Sequence, residues 1–269
     1  MGKPFDWSAV DLQICTPTAR GVHPAMALQM IALVCALRTL GAKVSWAWTF
    51  AMPVLDARNE MATAFLASPC THMLQWDDDI AVGPRSILAM IERDVDVCAL
   101  SCRVKTADSR HMVFTGTVFG HGEPERGTVR AAAVGGGVLL VKRRVLEGIR
   151  DRHPELKYRK QYVSQVEPSK VIGFFDQVDD HRGIRMGEDV SFGVRARQDG
   201  FELHILLDAP TTHHGAGHWP GNFLDAWTDA REKAKSASLP QVAVPPGAPC
   251  PCGSGKPLAA CHAAGEAHP

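Results

Sequence analysis

The sequence has no excess of either charge: Lys and Arg number 29, and Asp and Glu number 29. No global field gathers polyanions, which argues against a histone-like or ribosomal nucleic-acid binder. Long apolar runs are also missing. The most apolar stretch, residues 25–37, holds Gln29 and is too short to cross a bilayer, so it reads as a buried helix. No apolar core follows Lys3, so no secretory signal is read. The expectation is a soluble, cytoplasmic chain with no membrane partner. Aromatics make up only 7%, yet 45% of the 269 residues are apolar. That is too apolar for disorder and enough for one large domain, alone or with a small appendage. No internal repeat is present.

Five of the eight cysteines (Cys15, Cys35, Cys70, Cys98 and Cys102) are scattered through apolar segments. An odd number of scattered, buried thiols fits a reducing compartment better than a disulfide framework. The other three, Cys250, Cys252 and Cys261, crowd beside His262 near the end of the chain.

The hydrophobic period switches repeatedly along the first two thirds. Strands are expected at residues 11–15, 43–50, 71–76 and 95–101, with helices at 23–40, 55–67 and 84–93. Strands alternating with helices imply an α/β fold, a mostly parallel sheet covered on both faces. Ligands of such sheets bind beyond the carboxyl ends of the strands. From residue 111 the texture changes, with β-like stretches at 111–119 and 128–141 and a helix at 144–150. A polar loop over the site is expected at 151–186, then a helix at 188–198, a strand at 201–207 and a helix at 225–235. Residues 238–248, with three prolines, read as a linker between a domain at 1–237 and a small unit at 249–269.

Three clusters carry chemistry. Asp77-Asp78-Asp79 follows a buried strand, where Asp-x-Asp suits a divalent cation with positions left open for phosphate oxygens. A solvated charge run or a helix amino-cap is the plainer alternative. Gly187-Glu188-Asp189 opens a helix, where carboxylates either answer the helix dipole or serve as a general base. Thr212-His213-His214-Gly215 follows a strand and offers imidazoles to a metal, with His218 a further candidate.

Together these motifs, with Ala57-Arg58-Asn59, Thr71-His72-Met73-Leu74 and Gly135-Gly136-Gly137-Val138-Leu139-Leu140-Val141, resemble the GT-A glycosyltransferases over residues 11–219. The likeness is greatest to the small phage and bacterial members. It implies a Rossmann-like, nucleotide-sugar-binding mixed sheet and a nucleotide-sugar donor, with a UDP-sugar the commonest choice. Thr16, Thr18 and Arg58 would contact base or diphosphate, and Asp77 and Asp78 would lie on the donor. Asp79 and His213 would hold Mn²⁺ or Mg²⁺, and Asp189, or else Glu188, would take the acceptor proton. Arg58 could instead pair with Asp56 or Glu60 on its own helix. Gly135, Gly136 and Gly137 either admit a sugar close to the backbone or mark a bulge.

The tail, Cys250-Pro251-Cys252-Gly253-Ser254-Gly255-Lys256 and then Cys261-His262, resembles the SEC-C zinc motif. Three thiolates and an imidazole would close a structural Zn²⁺ site, with the metal supplying the folding energy of so short a segment. Pro257-Leu258-Ala259-Ala260 stands where that motif is usually basic.

Residues 141–160 carry eight basic side chains (Lys142, Arg143, Arg144, Arg150, Arg152, Lys157, Arg159 and Lys160) against Glu147, Asp151 and Glu155. This is either a solvated helix face or a phosphate-tracking patch beside the site. The second reading makes hydroxymethylated pyrimidine DNA a candidate acceptor, with Tyr158, Tyr162, Phe174 and Phe175 either able to stack on a base or serving as the loop's own packing. Polysaccharide, lipid-linked sugar and protein are the other acceptors. A non-catalytic nucleotide-sugar-binding module is the reading from a different class.

Overall fold

Apolar residues of the central strands alternate between two destinations. Met73, Ala99, Leu139 and Val141 face one core, while Leu74, Trp76, Leu100, Val138 and Leu140 face another on the opposite side of the sheet. A computed structural model shows what covers each face. It describes residues 4–106, 114–118, 124–158, 171–180 and 182–236. The chain divides into two units, Met1–Thr228 and Asp229–Pro269. The sheet and the helices packed on it belong to the first unit, and the chain passes into the second within its last described helix.

The first half runs β1 (Asp11–Thr18), α1 (Pro24–Thr39), β2 (Lys43–Phe50), α2 (Val54–Ala67) and β3 (His72–Trp76). Then come β4 (Ile80–Val82), α3 (Pro84–Arg93), β5 (Val97–Leu100), β6 (Thr117–Val118), β7 (Thr128–Ala133) and β8 (Val138–Lys142). The remainder is α4 (Arg143–Arg152), β9 (Lys157–Tyr158), β10 (Val171–Ile172), α5 (Glu188–Gln198), β11 (Leu203–Leu206), β12 (Thr211–His214), β13 (His218–Gly221) and α6 (Phe223–Ser236). The main sheet has the order β2-β1-β3-β8-β5-β11-β7-β6. Pairs β1/β2, β1/β3 and β5/β11 are parallel, while β8 and β7 run against their neighbours. It is a mixed sheet in which most strands share one direction. Helices α2, α4 and α5 pack one face through Phe65, Ile149 and Phe192. Helices α1 and α3 pack the other through Met26, Leu33, Ile87 and Met90.

Several expectations change. Residues 128–141 are two strands, not one. A glycine turn separates them, and β8 inserts between β3 and β5 while β7 pairs with β11. Helix α1 is buried on one side only. Met26, Met30, Leu33 and Leu37 face the sheet, while Leu28 and Ile31 are exposed because no described layer lies outside it. Strand β2 is a sheet edge and leaves Trp48 and Phe50 half or more exposed. Cys35 is exposed, not buried, whereas Cys15, Cys70, Cys98 and Cys102 are buried. Burial pushes the Cys98 and Cys102 thiols up to about 12, so neither is a nucleophile at neutral pH. No helix among the described residues is long and apolar enough to cross a membrane.

The basic cluster does not lie beside the aspartates. Arg143 donates to the carbonyls of Phe65, Leu66, Ser68 and Cys70, and so caps the carboxyl end of α2. Lys142 pairs with Asp94, Arg144 with Asp96 and Arg150 with Asp151, and Arg152 lies over the Phe201 ring. These contacts precede β3, β5 and β11, at the amino ends of strands whose carboxyl ends carry the candidate site. The local excess of charge is spent on structural pairing. Lys157 is exposed, and Arg159 and Lys160 lie outside the described residues.

Of the aromatics that could stack on a base or pack the loop, the two phenylalanines are core and Tyr158 is half-buried. Phe174 and Phe175 are fully buried, Phe175 stacked on Phe192 at 4.7 Å, and Tyr158 accepts from Asn59 Nδ2 at 3.2 Å. Tyr162 lies outside the described residues. Phe174→Ala is therefore expected to lower unfolding stability by about 3–5 kcal/mol in urea titration. A change below about 0.5 kcal/mol, the usual range for a surface side chain, would show that the ring is not core.

Candidate functional site

Four strand ends and one helix start converge at one edge of the sheet. The carboxyl ends of β1, β3 and β5, the turn before antiparallel β8, and the first residues of α5 meet there. Asp77, Asp78 and Asp79 occupy the turn between β3 and β4. The turn is closed by Ile80 N–H donating to Asp77 O at 3.3 Å and by the buried Trp76 indole donating to Ile80 O at 2.8 Å. The helix-cap alternative is not what is found. The residue capping α3 is Gly83, without a side-chain bond.

Arg58, in the middle of α2, is buried and reaches into this turn. Its Nη2 donates to both Asp77 oxygens at 2.8 and 3.1 Å, and its Nη1 donates to Gly136 O at 2.9 Å and Gln75 Oε1 at 3.5 Å. Its Nε faces Glu188 Oε1 at 3.6 Å and makes no hydrogen bond among the described residues. Pairing is thus with Asp77 across the fold, not with Asp56 or Glu60. The middle glycine is explained by this guanidinium, since a Cβ on Gly136 would lie 2.9 Å from Arg58 Cζ. At this position the small residue admits a protein side chain in place of the expected sugar contact or bulge, while a Cβ on Gly135 would meet Thr115 and one on Gly137 would meet Ile80.

Gly136 N–H donates to Asp189 Oδ2 at 2.9 Å, and Val190 N–H donates to Asp189 Oδ1 at 2.7 Å. One short backbone segment therefore ties Arg58 to Asp189. Burial pushes the Asp77 carboxyl up to about 6, against the pull of Arg58 and with a further push from Asp79.

Strand β12 lies antiparallel to β4 and places His213 opposite Ile80. His213 Nδ1 is 2.9 Å from Arg103 O, a carbonyl that only accepts, so Nδ1 carries the proton. The Nε2 then faces Asp79 Oδ1 at 3.3 Å, while Lys105 Nζ pairs with Asp79 Oδ2. Burial raises the Asp79 carboxyl, but His213 and Lys105 together bring it down to about 2. Of the other imidazoles, His214 stacks on His23 at 4.0 Å and its Nδ1 meets His218 Nδ1 at 3.0 Å. His213 is thus the imidazole that pairs with Asp79.

The fit to a divalent cation is specific but small. Among the described residues no group of three or more His, Cys, Asp or Glu side chains forms a metal site. With Nδ1 held by Arg103 O, His213 Nε2 and Asp79 Oδ1 face each other at 3.3 Å and would both serve as ligands to a cation placed between them. Two hard donors with open positions suit Mn²⁺ or Mg²⁺, which draw remaining ligands from phosphates and water. Beside them opens a cleft of about 430 Å³ lined by Arg20, His23, Asp78, Asp79, Lys105 and His214, among others.

Thr16 and Thr18 end β1 as expected, but both are buried and engaged. The Thr16 hydroxyl accepts from Trp46 Nε1 at 3.1 Å, and the Thr18 hydroxyl accepts from Gly21 N–H at 2.9 Å and also meets Asp78. Burial raises the Asp78 carboxyl, with the Thr18 contact opposing. Sequence reasoning missed Lys105, Arg103 and Gln75. The one available signal was that basic residues 103 and 105 follow a buried strand end. Cys250, Cys252, Cys261 and His262 lie outside the described residues.

One part of the chain matches a family model. Residues 248–264 match the SEC-C motif. No curated protein matches the sequence. Solved structures with a similar chain path include A197 from STIV, 13% identical with a TM-score of 0.46, covering 77% of this chain and 86% of that one. A UDP-glucose pyrophosphorylase complexed with UDP-glucose is 7% identical with a TM-score of 0.41, covering 83% and 100%. Mannose-1-phosphate geranyltransferase from Thermus thermophilus is 12% identical with a TM-score of 0.37, covering 74% and 75%. Likenesses this distant fix neither a reaction nor a substrate.

Breaking the buried Arg58–Asp77 pair leaves Asp77 without its counter-ion. Arg58→Gln is expected to cost about 3 kcal/mol of unfolding stability in urea titration. A loss under about 1 kcal/mol, the range of an exposed pair, would show that this contact does not hold the turn.

Proposed function

We propose that the chain is a GT-A-type glycosyltransferase that uses a nucleotide-sugar donor and a divalent metal. The observation that carries this reading is the His213–Asp79 pair. One ring nitrogen is committed to a backbone carbonyl, and the other is turned on a carboxylate at the carboxyl ends of the strands. The cleft beside it has the volume of an ordinary small-ligand site, and Arg20 and Lys105 give it the charge that a diphosphate requires.

In this reading Asp79 and His213 hold Mn²⁺ or Mg²⁺, which when bound neutralises charge on the departing diphosphate. Arg20 and Lys105 orient phosphate oxygens. Asp77, locked by Arg58, keeps the turn in shape, and Asp78 with Thr18 borders the donor. Asp189 is the base. Both its oxygens are fixed by backbone N–H groups, and each keeps a lone pair for a substrate hydroxyl. The acceptor oxygen bonds to the sugar C1, the C1–O bond to phosphate breaks, the proton passes to Asp189, and nucleoside diphosphate leaves. In the same reading Glu188, beside Arg58 Nε, has a positioning role and Asp189 takes the proton.

The acceptor is a hydroxyl of a saccharide, lipid-linked sugar or protein. Hydroxymethylated DNA, whose expected basic patch is structurally engaged elsewhere, enters the test as one acceptor among these. The assay incubates full-length protein with Mn²⁺, a panel of nucleotide sugars and each acceptor class, reading products by mass. Asp79→Ala is expected to lower donor turnover about 100-fold or more, and Asp189→Asn about 10²–10⁴-fold. Release of sugar 1-phosphate on adding pyrophosphate would instead assign nucleotidyl transfer, which the same cation and diphosphate geometry could serve. Donor binding without turnover would leave a binding module.

The tail has its own expected outcome. Metal analysis of the purified chain should give about one zinc per chain, lost in Cys252→Ser, since three thiolates and an imidazole make a closed site. Zinc retained in that variant would contradict the assignment of Cys250, Cys252, Cys261 and His262 as its ligands.

A further inference from the structure

A second cleft, of about 620 Å³, shares no residue with the cleft beside Asp79. It is lined by one side of α3 (Gly83, Arg85, Ser86, Ala89 and Arg93) and by Gly127, Leu206, Asp208 and Pro210. Ser86, Ala89 and Arg93 stand at helical spacings of three and four, so they form one stripe, with Arg85 on its flank. Ala89 between the polar groups adds only a methyl. Gly127 at φ +80° brings the opposite wall to Arg93 Nη2, 3.6 Å from where a Cβ would stand.

The polar groups of this cleft are donors left without acceptors among the described residues. Ser86 is 8% exposed, and its hydroxyl makes no hydrogen bond among them. Arg93 Nε is buried without a partner, and Arg85 is exposed with no carboxylate on it among the described residues. A buried donor without an acceptor costs about 1–3 kcal/mol, so such groups are retained where something else satisfies them. Helix α3 adds to the same sign of charge, because it begins at Gly83 with Pro84 next and no side chain closes its first turn. Its amino end therefore presents a partial positive charge to the cleft. Across from these donors lies the one carboxylate of the lining, Asp208, with Oδ1 accepting from Asn222 Nδ2 at 2.9 Å.

We propose that this cleft binds a phosphate monoester of a polyol, such as a sugar phosphate. The Arg85 guanidinium, the Ser86 hydroxyl and the helix start can share three phosphate oxygens, more acceptors than a carboxylate offers, while Arg93, about 12 Å along the helix, faces the rest of the ligand. Asp208 would repel a bare anion but accepts hydroxyl hydrogens, so it selects an anion that carries a hydroxylated body. The cleft has room for that body as well as its phosphate.

Calorimetry on the full chain tests this with glucose 6-phosphate, inorganic phosphate and glucose as probes. Glucose 6-phosphate is expected to bind saturably and more tightly than inorganic phosphate, and glucose not at all. Arg85→Gln and Arg93→Gln should each weaken binding about 10-fold, while Arg20→Gln, in the other cleft, should leave it unchanged. Arg85 is exposed, so its variant keeps the fold and stays informative if Arg93→Gln does not. The proposal is overturned by absence of saturation up to about 10 mM, by equal affinity for inorganic phosphate, or by sensitivity to Arg20→Gln in place of Arg85→Gln.

Discussion

The site rests on one buried guanidinium. Arg58 rises from the middle of α2, where its burial would be prohibitive without a counter-charge. It meets Asp77 after β3, the Gly136 carbonyl before β8 and Glu188 at the start of α5. Those three segments are far apart in sequence, and each is held at a strand or helix end, where backbone geometry is otherwise free to vary. Because the guanidinium fills the space beside Gly136, residue 136 has no room for a side chain. Because Gly136 N–H then points at Asp189, the candidate base is positioned by the same contact. Packing of a single side chain thus sets the relation between the aspartate turn and Asp189.

The same turn solves a charge problem. Three consecutive carboxylates repel one another, and each is answered by a different neighbour: Arg58 for Asp77, the Thr18 hydroxyl for Asp78, and His213 with Lys105 for Asp79. Trp76 fixes the backbone between them by bonding to Ile80 O. The outcome is asymmetry. Asp77 is locked inward on a permanent cation. Asp79 is turned to a cleft, with one oxygen against the Lys105 ammonium and the other facing His213 Nε2. A divalent ion would sit between Asp79 and His213 Nε2, with the ring orientation held by Arg103 O at Nδ1.

Much of this was legible in residues whose chemistry is local. The strands at 43–50 and 72–76 and the helices at 84–93 and 188–198 follow from hydrophobic period, Gly and Pro, and the convergence of Asp79 with His213 follows from strand ends. What the sequence did not disclose depends on three-dimensional neighbours. The basic run at 142–152 looks like a phosphate-binding stripe until Arg143 is seen capping α2 and its neighbours are seen paired with Asp94 and Asp96. Phe174 and Phe175 sit in a polar stretch, and only the packing of α5 over them makes them core. Nothing local in residues 43–50 marks β2 as a sheet edge. Gly136 invited a ligand, yet its space is taken by Arg58, a residue 78 positions away.

The central claim is that His213 Nε2 and Asp79 form a divalent-cation site completed by a nucleoside diphosphate. The most direct measurement follows the histidine ring resonances by NMR while Mn²⁺ is added substoichiometrically in the presence of UDP. The account predicts paramagnetic broadening that is strongest at the His213 ring and weaker at His23 and His214, dependent on UDP and abolished in Asp79→Ala. A His213 ring that stays sharp while UDP binds would contradict it.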